Sequence, residues 1–485
     1  MPNRMVAGNG GRLGVAALVA ILLLGLGLRV GEAWSGRAPV YDAAAYAAIA
    51  KNLDEGNGFT VGASATQPST DYSPGLPLFV AGVYKVTGGV HERLARLVLA
   101  VIGALAPLFA YLLARRLSQP LDVGSPQGDQ GLKVGGRAVV AGLIAALAVA
   151  IYPATIEYTG MLMTEPLAAT LLAGAMPAIP WAADGASPWR WLVPGLTLGA
   201  LALVRPEYLA IGLLLAALVL LHERLAPRHR SSSQKSADSA EKCERTGGDW
   251  RRALVAAGVV VLGIVVVVAP WTVRNAIALD RFVTVSTGGG QVLYAGTYLP
   301  SDGNPEKVGA AVVAEHPGLF GPHAVENLRL EQILARLAER TYPDLEPDQS
   351  LSKMGKQQLR DDITDHTGEY VSFVATKIGR IWSHGPRAVM REPIWEALHW
   401  ALLGFGMLGL GLLAYFRRWE ALLIGAVFLA VTLVSALLVA SPRRVLVLIP
   451  LLAACAGTAT VWLATDARAL LGHGRSAKAG NQSVL

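Results

Sequence analysis

The chain has 485 residues, 53% of them hydrophobic and only 16% charged, whereas soluble domains of this size carry about a quarter charged residues. That composition excludes an ordinary soluble enzyme and predicts an all-α polytopic membrane protein. The net charge of +7 is scattered over short loops between apolar runs, which is the pattern of membrane orientation and not the clustered patch of a nucleic-acid binder.

Apolar runs fit to span a bilayer lie near 13–30, 94–114, 138–156, 162–181, 192–204, 207–222, 253–271, 396–416, 420–440 and 445–464. The first, LGVAALVAILLLGLGL, follows Arg4 and Arg12 and lacks a small-residue cleavage site, so it is read as a retained helix with a cytosolic N-terminus. Between it and the second run lies YDAAAYAAIAKNLDEGNGF at 41–59, where Asp42, Tyr46, Ile49 and Leu53 recur at helical spacing. One face of a short helix then carries a carboxylate, a phenol and apolar groups. Asp42 at its start is a helix cap, a catalytic group, or both. Further along, STDYSPGLPLFVAGVY places Asp71 and Tyr72 in a loop, and Pro74, Gly75 and Pro77 turn the chain back towards the bilayer.

Glu165 sits near the outer end of the fourth run, either as part of a structural ion pair or as a group that positions an arginine or an acceptor. The stretch 192–222 is one long span or two short ones meeting at Arg205-Pro206, and loop charge favours two. With two, the segment 223–252 and its eight Lys and Arg residues stay in the cytosol, together with both termini, 115–137 and 417–418. The outer segments are then 31–93 and 272–395. Arg205 pairs with Glu207, snorkels, or binds a ligand; Arg274, after APWTV, anchors beside Trp271 or meets an anion. STGGGQVLYAG has three successive glycines that permit close approach of a sugar or phosphate, but it lacks the lysine of a phosphate loop.

Within 272–395, LEQILARLAER and QLRDDITDHTGEYVSFVATKIGRIW read as amphipathic helices outside or on the membrane surface. SPRR at 441–444 falls on the outer side, against the charge rule, so Arg443 and Arg444 call for an anionic partner. The domain reading is a membrane module over 1–271, an external helical region over 272–395, and membrane helices with a cytosolic tail over 396–485. An NQS triplet at 481–483 lies in that tail and is read as chance. No internal repeat is evident, which argues against a transporter built of paired halves. Cys243 and Cys455 are the two cysteines, too few for a disulfide framework or a cysteine metal site, and the nine histidines have no metal-ligand spacing.

Taken in order, the outer-loop Asp with its Tyr, the YSPGLPL re-entry, MLMTEPLAATLLA, GALALVRPE and PWTVRNAIALDRFVTVSTGGGQVLYAGT resemble the GT-C glycosyltransferases of the protein O-mannosyltransferase and lipid A aminoarabinose-transferase type. The resemblance runs from about residue 13 to about 300 and weakly through LRDDITDHTGEYVSFVATKI and SPRRVLVLIPLL. It implies a GT-C fold of about ten transmembrane helices with amphipathic outer helices. It also implies an active site on the outer face of the cytoplasmic membrane, Asp42 as catalytic base, and a sugar donor carried on a polyprenyl phosphate. Relatives usually have an Asp-Glu pair and some use a divalent ion; Ala43 stands in the second place here and argues against one, so no cofactor is expected, with a divalent ion left open.

A single carboxylate suits that chemistry, because a phosphate leaves as an anion without the acid that an ordinary glycoside needs. Arginines suit the departing oxygens. The substrate-binding candidates are Tyr46, Asp71, Tyr72, Glu165, Arg205, Arg274, Arg443 and Arg444, and the acceptor is a lipid, glycan or protein. The rival readings are a lipid-linked sugar flippase or transporter, and an oligosaccharide ligase or polymerase using a diphosphate-linked donor.

Overall fold

The computed structural model of the protein describes residues 3–36, 38–61, 68–119, 130–225, 250–321, 323–383 and 385–479, and every regular element among them is helical. Cys243, most of the basic segment 223–252 and the NQS triplet lie outside the described residues.

The chain enters through α1 (Asn3–Ser35) and turns at Tyr41, a non-glycine residue with φ of 50°, into the short α2 (Asp42–Asp54). After the proline-rich re-entry come α3 (Gly75–Thr87), then α4 (Glu92–Gly103) and α5 (Ala106–Leu117), which together form one apolar stretch. Helix α6 (Gln130–Ile151) ends at Tyr152 because Pro153 has no amide hydrogen to continue it, and α7 (Pro153–Glu157) departs at a bend of 55°. Next are α8 (Thr164–Ala183), α9 (Leu192–Val204), α10 (Glu207–Leu225) and α11 (Trp250–Leu279). A helical insertion follows: α12 (Gly289–Thr297), α13 (Val308–Glu315), α14 (Ala324–Asn327), α15 (Leu330–Thr341), α16 (Pro347–Asp365) and α17 (Thr367–Ser383). The chain then runs through α18 (Pro393–Tyr415), α19 (Trp419–Leu437), the single turn α20 (Arg443–Leu446) and α21 (Ile449–Ala479).

Seven helical stretches among the described residues are long and apolar enough to cross a membrane, eight if α6 and α7 count as one bent span. The 13-residue α9 and the apolar part of α21, Ile449–Thr465, are shorter. This is a multi-pass membrane protein.

The stretch 192–222 is two helices. Pro206 disfavours helical geometry at the residue before it, and Arg205 is extended, with φ of −143° and ψ of 106°. A Cβ built on Gly212 would lie 3.6 Å from the Cβ of Leu198, and in a straight helix those residues would stand roughly 21 Å apart. Hence α9 and α10 fold back on one another as a hairpin with Arg205 at its tip. Helix α9 also lies close along α11: a Cβ on Gly263 would come within 2.8 Å of the Gly195 backbone, so only small residues allow that contact.

The last helix is the innermost. Residues 445–459 are buried throughout, between α5, α6 and α18. Two buried polar side chains within the bundle find partners at the break after α6. Arg29, fully buried, donates to the carbonyls of Gly25, Val149 and Ala150 and so caps the end of α6. His399 Nε2 donates to the Trp382 carbonyl at 2.9 Å, which leaves Nδ1 to accept from the Tyr152 hydroxyl, also at 2.9 Å.

The insertion has its own core of Tyr294, Tyr298, Val312, Leu334, Leu337 and Leu351. LEQILARLAER forms α15 and buries Ile333, Leu334, Leu337 and Ala338, as its periodicity predicts. The longer amphipathic segment is interrupted at His366 and forms α16 and α17. Of the three glycines of STGGGQ, Gly290 packs against α16. A Cβ on Gly290 would collide with the Asp348 carbonyl at 1.9 Å, and the Asp348 carboxylate accepts the Gly290 amide at 2.8 Å.

The hairpin places Ser187, before α9, at the same end as Leu225, the last residue of α10. In a cysteine-free background, single cysteines at Ser187 and Leu225 are expected to label from one face of the membrane and a cysteine at Glu326 from the other. Labelling of Ser187 and Leu225 from opposite faces would convert 192–222 into one span.

Candidate active site

Two groups of ion pairs occupy opposite ends of the bundle. At one end Arg116 bonds Asp184 at 2.6 Å and Glu420 at 3.2 Å, and Arg418 shares Glu420 at 3.2 Å. At the other end four separate segments converge: the start of α2, the start of α8, the tip of the α9–α10 hairpin, and α20.

Glu165 lies at the centre of this second group. It occupies the first turn of α8, with 2% of its side chain exposed. Its Oε1 accepts from Arg443 Nε at 2.8 Å and from Arg205 Nη2 at 3.0 Å. Its Oε2 is buried with no hydrogen-bond partner in the structure. Arg443 reaches from Glu165 to the Asp42 carboxylate, with Nη1 3.1 Å from Oδ2. Arg205 Nη1 lies 3.5 Å from Glu207, which in turn lies 3.7 Å from Arg444. The order Asp42, Arg443, Glu165, Arg205, Glu207, Arg444 alternates in sign, three carboxylates against three guanidiniums.

Asp42 begins α2, but its side chain makes no cap: the N-cap residue is Tyr41 and no side-chain cap bond is present. The carboxylate faces Arg443 instead and is 44% exposed. Beneath it lies Tyr46, which is buried and meets Tyr72 edge to face with centroids 5.6 Å apart. Burial, then the charge of Asp42, raises both phenols above the ordinary tyrosine range, so they serve as neutral donors and surfaces. Burial works against the charge of Arg443, but Glu165 and Asp42 outweigh it and hold the guanidinium protonated more firmly than usual.

Of the residues singled out from the sequence, Asp42, Tyr46, Tyr72, Glu165, Arg205, Arg443 and Arg444 come together. Two stand aside. Asp71 accepts from Thr287 at 2.7 Å and pins the loop between α2 and α3 to the chain that follows α11. Arg274 donates to the carbonyls of Ser69 and Phe59 and lies 4.8 Å over the Trp271 ring, so it ties that loop down in place of facing Asp42.

Glu207 belongs to the cluster as the third carboxylate, and the sequence weighed it only as a partner for Arg205. Lys377 in α17 gave no sequence signal. It is buried, donates to the Gly296 carbonyl at 2.6 Å, and lies within the field of Arg444.

No protein-family model matches the sequence, and comparison with curated proteins finds no relative. Comparison with solved structures does find likenesses. The archaeal oligosaccharyltransferase AglB from Archaeoglobus fulgidus, in complex with an inhibitory peptide and a dolichol-phosphate, superposes with a TM-score of 0.53 at 17% identity. The alignment covers 95% of this chain and 52% of that one. The apo oligosaccharyltransferase from the same organism gives a TM-score of 0.51 at 16% identity, with the same coverage of both chains. The fold is that of the GT-C glycosyltransferases. ArnT from Cupriavidus metallidurans bound to undecaprenyl phosphate scores 0.39 at 14% identity, over 94% of this chain and 79% of that one. The chain spans about half the length of the oligosaccharyltransferases it matches.

Lys377 yields a pH dependence. Burial, then Arg444, lowers its pKa to about 7, whereas a lysine in the unfolded chain titrates near about 10.4. Between those values the unfolded state binds the extra proton, so stability rises with pH across that window. The thermal midpoint of the detergent-solubilised protein is expected to climb from about pH 7 towards pH 9, and Lys377→Met is expected to flatten the climb. An equal slope in both proteins would show that Lys377 keeps its proton.

Proposed function

We propose that the protein is an inverting glycosyltransferase that takes a monosaccharide from a polyprenyl-phosphate carrier and passes it to a hydroxyl group of a lipid, glycan or protein acceptor. The observation that carries this reading is the pairing of Asp42 with Arg443 inside a cluster of alternating charges, at one end of a GT-C bundle. The charge asymmetry of the loops supports placing that end on the outer face of the cytoplasmic membrane. In the oligosaccharyltransferase neighbour, a lipid phosphate is part of the solved complex.

The chemistry follows from the charges. The acceptor oxygen attacks the anomeric carbon from the side opposite the phosphate, the bond from carbon to phosphate oxygen breaks, and the electron pair leaves with the phosphate. Asp42 takes the proton from the attacking hydroxyl. Arg443, with Arg444 and Arg205 behind it, holds the phosphate oxygens as their charge develops, and the planar fork of guanidinium donors fits them. Tyr46 and Tyr72 form the aromatic wall beside Asp42.

The donor set does not suit a divalent ion. Asp42, Glu165 and Glu207 are each engaged by an arginine, and no group of three or more His, Cys, Asp or Glu residues among those described is arranged to hold a metal. In this reading guanidinium supplies the positive charge, and no step passes through a metal. A transporter would want charged groups at mid-bilayer, whereas the two clusters described here lie at helix ends.

The test is transfer of radiolabelled sugar from a panel of polyprenyl-phosphate donors to membranes. Asp42→Asn keeps shape and hydrogen bonding but cannot take the proton, so it is expected to lose about 100-fold to 10,000-fold in rate. Asp54→Asn, at the far end of α2, is expected to retain activity. A fully active Asp42→Asn protein would remove the base from this mechanism.

A further inference from the structure

The charge cluster has no spare cation, and this bears on how an anionic substrate enters it. Three guanidiniums face three carboxylates. A phosphate that arrives must take an arginine already engaged, and the three carboxylates differ in how readily they give way. Glu165 is enclosed, with 2% of its side chain exposed, and two arginines grip it. Glu207 is 21% exposed and lies between Arg205 and Arg444. Asp42 is 44% exposed and holds the cluster through one contact, Oδ2 to Arg443 Nη1 at 3.1 Å. It also stands on the first residue of a short helix, beside an outer loop rather than inside the bundle.

We propose that the donor phosphate binds by exchange, displacing the Asp42 carboxylate from Arg443, so that donor binding is what releases Asp42 to the acceptor. This rests on the reading of Asp42 as base. The geometry favours the exchange because Arg443 is held from behind: its Nε stays on Glu165 at 2.8 Å, which fixes the guanidinium plane while Nη1 changes partner. A phosphate oxygen makes the same charge-assisted contact that the carboxylate makes. Two anions crowded onto one guanidinium repel each other, so the arriving phosphate drives the more exposed carboxylate off. The sugar on that phosphate is then presented beside the freed Asp42. The order of events follows: donor first, acceptor second.

Competition of this kind is reciprocal, and a coupling between two ligands of one group typically amounts to about 5-fold to 150-fold in affinity. Removing the charge of Asp42 therefore strengthens phosphate binding, whereas a base that does not compete leaves it unchanged.

The experiment measures the affinity of the full-length protein, in nanodiscs of zwitterionic lipid, for a polyprenyl phosphate lacking the sugar. Asp42→Asn and Asp42→Ser are expected to bind about 10-fold more tightly than wild type, and Asp54→Asn as wild type does. Arg443→Gln is expected to bind more weakly, and adding Asp42→Asn to it should bring no gain. Equal or weaker binding by the folded Asp42 variants would overturn the exchange, as would a gain that persists without Arg443, since that would be a general field effect. Transfer assays on the same proteins judge the other reading separately. An inactive Asp42→Asn that binds no more tightly keeps the base and loses the exchange, and an active one that binds more tightly loses the base.

Discussion

A carboxylate buried as fully as Glu165 is tolerated in a helix bundle only if cations are brought to it, and removing one partner of such a buried pair typically costs about 3–5 kcal/mol. The way Arg205 and Arg443 are brought to Glu165 organises this whole end of the molecule. Arg205 arrives because Pro206 breaks the helix and turns 192–222 into a hairpin. Arg443 arrives because α21 occupies the middle of the bundle and carries α20 at its head. Asp42 is then recruited by the free arm of Arg443, and Glu207 joins Arg205 to Arg444. Each charge is compensated by a neighbour from a different segment, so the cluster fastens four parts of the chain together while leaving one carboxylate accessible.

The bilayer imposes a second constraint, since backbone groups within it find no water. The break between α6 and α7 exposes carbonyls, and Arg29 supplies donors for them at 3.0 Å from both Val149 and Ala150. The His399 bridge between Tyr152 and Trp382 ties α18 to the same break and to the end of α17. The helices α12 to α16 pack around a core of their own, and α17 joins them to α19 and α20.

Much of this was legible in the sequence wherever one residue contradicted its surroundings. Asp42 beside a nearly all-alanine run, a charged residue and a proline between two apolar runs, and a pair of arginines that break the expected loop-charge pattern each named a member of the cluster. What was not legible depended on where a side chain turns. Arg274 has the position of a ligand-binding arginine, yet the carbonyls of Phe59 and Ser69 and the Trp271 face hold it. The glycines at 288–290 have the look of a phosphate cradle, but helix α16 fills the space beside Gly290. Glu207 was read as a local partner because its tie to Arg444 joins positions far apart in the chain.

The contact between Asp42 and Arg443 joins residues 401 positions apart. A ribosome delivers Asp42 early and Arg443 near the close of translation, so for most of its synthesis the nascent chain holds Glu165 in the membrane without one of its two arginines. A chain halted before α20 has Arg205 alone on Glu165 and no guanidinium facing Asp42. The contact between Asp42 and Arg443 therefore forms only once the last helices are in place.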